Sequence, residues 1–234
     1  MNKYIGIGVH VSNRYSPVKG FDFGEDLIRS LVASKLIKKH LDDDNHVVVF
    51  PLGTIGNAEL NLVSYRIRDY MNDQGGLKNK GVDFVCGVGS ADTVMSFVEF
   101  NALIELIENG ETLLNYHPID SLKNLRQRRG QVFDKTWDKK MRGYWSDSLK
   151  VIKELNKDKV SFDERFFVTS HYNAARCKIV NRGFGGLSEI VSAPDLFNSD
   201  KLFINEFAGS LKDIRVFGGE GMMNLCRKIS SRFS

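Results

Sequence analysis

Residues 4–11 read YIGIGVHV and residues 46–51 read HVVVFP, two short runs rich in β-branched residues, each followed by a loop and then by a helical pattern. A short continuous apolar run of this kind is what a strand buried on both faces requires. Between the two runs, from about Gly24 to His40, Leu27, Leu31, Leu36 and Ile37 fall at near-helical spacing, with Lys35, Lys38 and Lys39 outside. Working outward, AELNLVSYRIRDYM (58–71) repeats the amphipathic helix and VDFVCGVGS (82–90) supplies a third buried strand. FVEFNALIELI (97–107) is a third helix and TLLNYHP (112–118) a fourth strand. Strands alternating with helices specify an α/β fold, a mostly parallel sheet flanked by helices in a Rossmann-like three-layer arrangement. Ligands of such sheets sit beyond the carboxyl ends of the strands. The loops after residues 11, 51, 90 and 118 are therefore where a site is expected.

The second half is less regular. Residues 121–156 read as one or two polar helices, and RFFVTS (165–170) and SEIVSAP (188–194) as further strands. DIRVFGGEGMMNLCRKI (213–229) suggests a strand, a glycine turn and a short helix. The expected organisation is a nucleotide-binding-like core over 1–120. A basic extension over 121–234 either stands apart or completes the same domain.

The chain has 234 residues, of which 42% are apolar, with 21 Gly, 4 Pro and 3 Cys. That composition excludes disorder, collagen and coiled coil. No apolar run approaches the ~20 residues that cross a bilayer, and the opening MNKYIGIGVHVSN lacks a basic n-region and a cleavage site. The expectation is a cytoplasmic protein with no membrane partner; a homo-oligomer is compatible with this composition and not implied by it. Cys86, Cys177 and Cys226 have no CxxC spacing and read as free thiols, so no metal or cofactor is expected from them. Charge is uneven: residues 1–120 carry 11 basic and 16 acidic side chains, residues 121–234 carry 22 and 13. The second half thus presents a surface suited to an anionic partner.

The segment richest in chemistry is VDFVCGVGSADTVMSFVEFNALIEL, residues 82–106. A buried strand ends in a small-residue loop, and Glu99 follows near the start of an apolar helix, where the first-turn N–H groups favour an ionised carboxylate. Such a group suits a nucleophile or an electrostatic stabiliser. The same residues, Ser96-Phe-Val-Glu99, also form the S-x-x-E capping-box pattern, in which Ser and Glu only satisfy helix N–H groups.

This segment resembles the nucleoside 2-deoxyribosyltransferase-like superfamily, related in architecture to TIR domains. The likeness lies in the strand Val82–Gly87, the loop residues Asp92 and Ser96, the glutamate Glu99 and the strand after it. The resemblance implies cleavage of an N-glycosidic bond by a hydrolase or transferase, with a nucleoside, a nucleotide or NAD as substrate. Glu99 would attack or stabilise the anomeric carbon, Asp92 would serve as acid or ribose contact, and Ser96 would orient by hydrogen bonding. His10, Tyr15, Ser90 and His117, on the neighbouring loops, are the expected substrate contacts. A role as a defence effector held by nucleic acid or a ribonucleoprotein follows from the same resemblance.

Two alternatives stand beside it. Thr169-Ser-His-Tyr-Asn-Ala174 is similar to the S-x-H-x-N-A signature of zinc-dependent N-acetylmuramoyl-L-alanine amidases, with His10 and Glu25 in positions to join His171. The other is a non-catalytic protein that binds nucleic acid or a protein partner through 121–150. There Arg126, Arg128, Arg129, Lys139 and Lys140 alternate with Trp137, Tyr144 and Trp145, able to track phosphates and stack on bases. The plain reading of the same stretch is a solvated helix face. Residues Phe217-Gly-Gly-Glu-Gly-Met222 would approach a phosphate or simply turn the chain.

Overall fold

A computed structural model describes residues 2–10, 15–16, 20–21, 24–53, 63–88, 93–110 and 135–194. In chain order the elements are β1 (Tyr4–His10), β2 (Tyr15–Ser16), β3 (Gly20–Phe21), α1 (Gly24–Asp42), β4 (His46–Leu52) and α2 (Val63–Asp73). They continue with β5 (Asp83–Phe84), α3 (Thr93–Asn109), α4 (Lys135–Lys157), β6 (Glu164–Ser170), α5 (His171–Gly183) and β7 (Glu189–Ala193). Five strands form one parallel sheet in the order β5-β4-β1-β6-β7, and β2 and β3 make a separate antiparallel pair. Strands 165–170 and 188–194 of the second half thus pair in the same sheet as the first. The expected strand at 112–118 and the elements after 194 lie outside the described residues.

Each strand presents alternate residues to two helical layers. Ile5, Ile7, Val9, Val47, Val49 and Val168 pack with Ala33 and Ile37 of α1 and Ile67 and Met71 of α2. On the other face Val48, Phe50, Leu52 and Phe167 pack with Phe97, Phe100 and Leu103 of α3, Ile152 and Leu155 of α4, and Cys177 and Val180 of α5. This is the expected three-layer α/β sandwich. Each large apolar side chain so buried contributes about 1.5–3 kcal/mol. Gly8 is small for a reason: a Cβ there would stand 2.8 Å from Phe167 Cδ2 and 3.0 Å from Phe100 Cδ2. Its missing side chain lets two phenyl rings close over β1.

Helix α3 is buried almost all round, as its run of apolar residues demands of a helix held between the sheet, α4 and α5. Helix α1 corrects one sequence expectation. Its buried stripe is Asp26, Arg29, Ser30, Ala33, Ser34, Ile37 and His40, whereas Leu31 is 43% exposed. The helical period holds, but the phase set by Ala33 and Ile37 carries charged and hydroxyl residues to the sheet at the helix's amino end. Among the described residues no helix is long and apolar enough to cross a membrane.

Candidate functional site at the carboxyl edge of the sheet

The strand order reverses direction between β1 and β6, because the chain winds outward from β1 to β4 and β5 and then returns to place β6 on the other side. At such a point the connections leave on opposite faces, and the crevice between them is where open α/β sheets bind ligands. The parallel register pairs Val9 with Val168 and Thr169 with Ser192, so His10, Thr169 and Ser192 lie level across three strands. They form a polar row at the carboxyl edge, on the face covered by α3 and α5.

His10 is 4% exposed, and its Nδ1 is hydrogen bonded to Ser96 Oγ of α3 at 3.2 Å. Its ring lies over Phe167. Burial above all, with the positive charges of Arg29 and Arg176 adding to it, holds the imidazole well below the usual histidine range. It is therefore neutral at pH 7, one ring nitrogen a donor and the other an acceptor. Arg29, fully buried on α1, is paired with Asp26 at 2.7 Å. Arg176 projects from α5, so the edge carries cationic groups from both helical layers.

The end of β6 differs from its neighbours. Thr169 and Ser170 are buried, and neither Thr169 Oγ1 nor Ser170 Oγ has a hydrogen-bond partner. Ser170 is the N-cap of α5, in an extended conformation (φ −67°, ψ 153°), yet its side chain makes no capping bond. His171, the first residue of α5, is exposed and its Nδ1 meets Ser192 Oγ at 3.0 Å.

Glu99 has a different environment. It is wholly buried, and its Oε1 accepts the Val88 N–H at 2.9 Å. A Cβ at residue 87 would lie 2.6 Å from Glu99 Oε2 and 2.8 Å from Leu52 Cδ2, so Gly87 is what admits the carboxyl group. The surrounding bonds explain the arrangement. Val85 and Gly87 N–H groups bond inward to β4, on Val49 and Pro51 carbonyls. Two backbone groups just beyond β5 are met by helices: Ser148 Oγ donates to the Cys86 carbonyl at 2.8 Å, and Glu99 takes the Val88 N–H. Ser64 Oγ donates to the Gly87 carbonyl at 2.7 Å. Glu99 thus seals a sheet edge.

Of the residues expected from sequence, the structure brings His10 and Ser96 together across 86 positions of chain. Glu99 sits one helical turn beyond Ser96 and Tyr15 lies in β2 opposite Phe21. Lys139 and Lys140 lie on α4, the first exposed and the second partly buried. Asp92, Ser90, His117, Arg126, Arg128 and Arg129 lie outside the described residues. His10 and His171 engage different serines, Glu25 lies in the first turn of α1, and no group of three metal-ligating side chains occurs among the described residues. Asp26, Arg29 and Arg176 were not singled out from sequence. The phase of the α1 stripe, carried back from Ile37 and Ala33, is the signal that finds the first two. Compared with models of protein families, with curated proteins and with solved structures, the chain matches none, so the sheet and its carboxyl edge are the ground for any reading of function.

Proposed function

We propose that the chain binds a nucleoside or nucleotide in the crevice between the carboxyl ends of β1 and β6. The observation that carries this reading is the reversal of strand order at the very place where buried polar side chains converge: His10 with Ser96, Thr169, Ser170, and the charges of Arg29 and Arg176. A neutral His10 offers a donor or an acceptor to a base or a ribose hydroxyl. N-glycosidic cleavage is the reaction to assay on this ligand class, although Glu99 in its present position is committed to Val88. The test is a thermal-shift panel of nucleosides, nucleotides and NAD, followed by chromatography for released base. Expected is a saturable rise in Tm with at least one ligand, lost in His10→Ala. A panel that leaves Tm unmoved overturns the reading.

A second reading is favoured by one surface feature. Lys139, Lys140, Gly143, Tyr144 and Asp147 line an open concavity of about 450 Å³ along α4. Arg68 lies over the Tyr65 ring, Tyr65 packs on Tyr144, and Lys140 Nζ stands 6.0 Å from the Tyr144 ring centre. Aromatic faces beside cations suit single-stranded nucleic acid. Asp138 and Asp147, however, neutralise Arg142 and Lys150. Oligonucleotide binding that weakens steeply with salt and is lost on replacing Lys139, Lys140 and Tyr144 together would support this reading; binding indifferent to those changes would end it.

A further inference from the structure

We propose that the amino end of α5, with Thr169 and Ser170, is a phosphate-binding subsite of this crevice, taking the phosphate of a nucleotide or free inorganic phosphate. The inference rests on the reading that the crevice holds a nucleoside or nucleotide, and it names the group that end of the ligand must carry.

Helix α5 follows β6 without a loop, so Ser170 is both the last strand residue and the N-cap. The first N–H groups of a helix have no partner within it, and a serine at the N-cap ordinarily gives its oxygen to one of them. Here that bond is not made. Ser170 is 2% exposed and Thr169, its neighbour, is fully buried, and neither hydroxyl has a partner. Thr169 faces the layer of α3 and α5 and Ser170, the next extended residue, faces the other, so the two unsatisfied hydroxyls flank the strand end at which α5 begins.

Phosphate fits that arrangement better than the alternatives. It brings several acceptor oxygens to hydroxyl and N–H donors at once, and its charge is stabilised by the helix dipole. The first turn of α5 contains no acidic residue. Arg176, farther along the same helix, and Arg29, across the crevice on α1, both raise the positive potential felt at His10. Among the described residues the carboxylate of Asp26 is an opposing charge, and it is bound to Arg29 at 2.7 Å. An uncharged ligand would gain nothing from the helix dipole.

The experiment is isothermal titration of the full chain with inorganic phosphate and with each of the four ribonucleosides and its monophosphate. At least one monophosphate is expected to bind ten times or more tightly than its nucleoside. Ser170→Ala and Thr169→Val should shrink that ratio toward one, and Arg176→Gln should weaken the monophosphate more than the nucleoside. Because Ser170 and Thr169 spend no side-chain hydrogen bond on the fold, both variants should keep the wild-type circular dichroism. Equal binding of nucleoside and monophosphate overturns the phosphate subsite while leaving the nucleoside reading intact. Binding of inorganic phosphate with no gain from any nucleotide supports the subsite and overturns the nucleotide reading. Silence from phosphate and from every nucleotide overturns both.

Discussion

Replacing Glu99 by alanine tests whether this carboxyl group holds the fold or serves chemistry. In the folded chain Glu99 Oε1 accepts the Val88 N–H at 2.9 Å inside a site with no solvent access. Truncation leaves that N–H buried without an acceptor, a cost of about 1–3 kcal/mol. The methylene removed with the carboxyl group adds about 0.8 kcal/mol of lost burial, for a total near 3 kcal/mol. With a urea dependence of about 2 kcal/mol per molar, the unfolding midpoint should fall by about 1.5 M at unchanged slope. Glu99→Gln retains an oxygen at the same place and should cost only about 1 kcal/mol. The assay is urea unfolding followed by tryptophan fluorescence, since Trp145 packs on the core beside this edge. An alanine variant within about 0.5 kcal/mol of wild type would refute the sheet-sealing role, because changes that small are typical of unconnected surface sites. Loss of base release in a Glu99→Gln protein of unchanged stability would return the residue to chemistry.

Gly8→Ala should destabilise by about 2 kcal/mol, since a Cβ at 2.8 Å from Phe167 forces overpacking of the β1 face; calorimetry reads the drop in Tm. Burial lowers the pKa of both His10 and His40, so the unfolded chain takes up more protons than the folded one between their folded values and about 6.5. This contribution is therefore complete above pH about 6.5 and lost as the pH falls below it, and His40→Gln should flatten the decline of urea midpoints between pH 7 and pH 5. Glu108 accepts the Phe162 N–H at 2.9 Å and Arg165 Nη2 through both oxygens at 3.0 Å, tying the end of α3 to the start of β6. Glu108→Ala should cost about 2 kcal/mol and speed hydrogen exchange at Phe162.

The periodicities that announce β1, α1, β4, α2 and α3 are local, and the structure contains each of them within a few residues. Sheet order is not local. Nothing in RFFVTS says that it lies against YIGIGVHV rather than beyond HVVVFP, because a parallel partner is chosen by which helical layers can close over it. The reversal at β1 and β6 therefore became visible only in three dimensions, and with it the meeting of His10 and Ser96. Glu99 was legible as a helix residue beside a strand end, but not as an edge seal. Its burial depends on Ser148 and its helix, which arrive some 50 residues later to cover the same strand. In α1 the sequence offered Leu27 and Leu31 as the inner face. The partly buried Leu27 and exposed Leu31 gave way to Asp26 and Arg29, a pair that tolerates burial because each supplies the other's countercharge.

Two strand ends at the same edge of the sheet are treated in opposite ways, and the contrast separates architecture from binding. Where the β5 strand ends, the polar groups of residues 86–88 meet Ser148, Ser64 and Glu99, side chains supplied by three different helices. Where β6 ends, two hydroxyls of the same chemical kind are buried and left unmet. Each such hydroxyl weakens the empty protein, since a buried donor without an acceptor costs about 1–3 kcal/mol. The fold withstands that cost because α5 is anchored elsewhere, by Cys177 and Val180 against α3 and by Asn181, whose side chain bonds both the N–H and the carbonyl of Ser188. An anion that satisfied the hydroxyls would recover the lost energy and stabilise the folded state by mass action. Ser170→Ala should therefore act with opposite signs on the two quantities, leaving the empty protein as stable as wild type or more so while weakening phosphate binding. A capping serine would do the reverse, losing stability with no effect on any ligand.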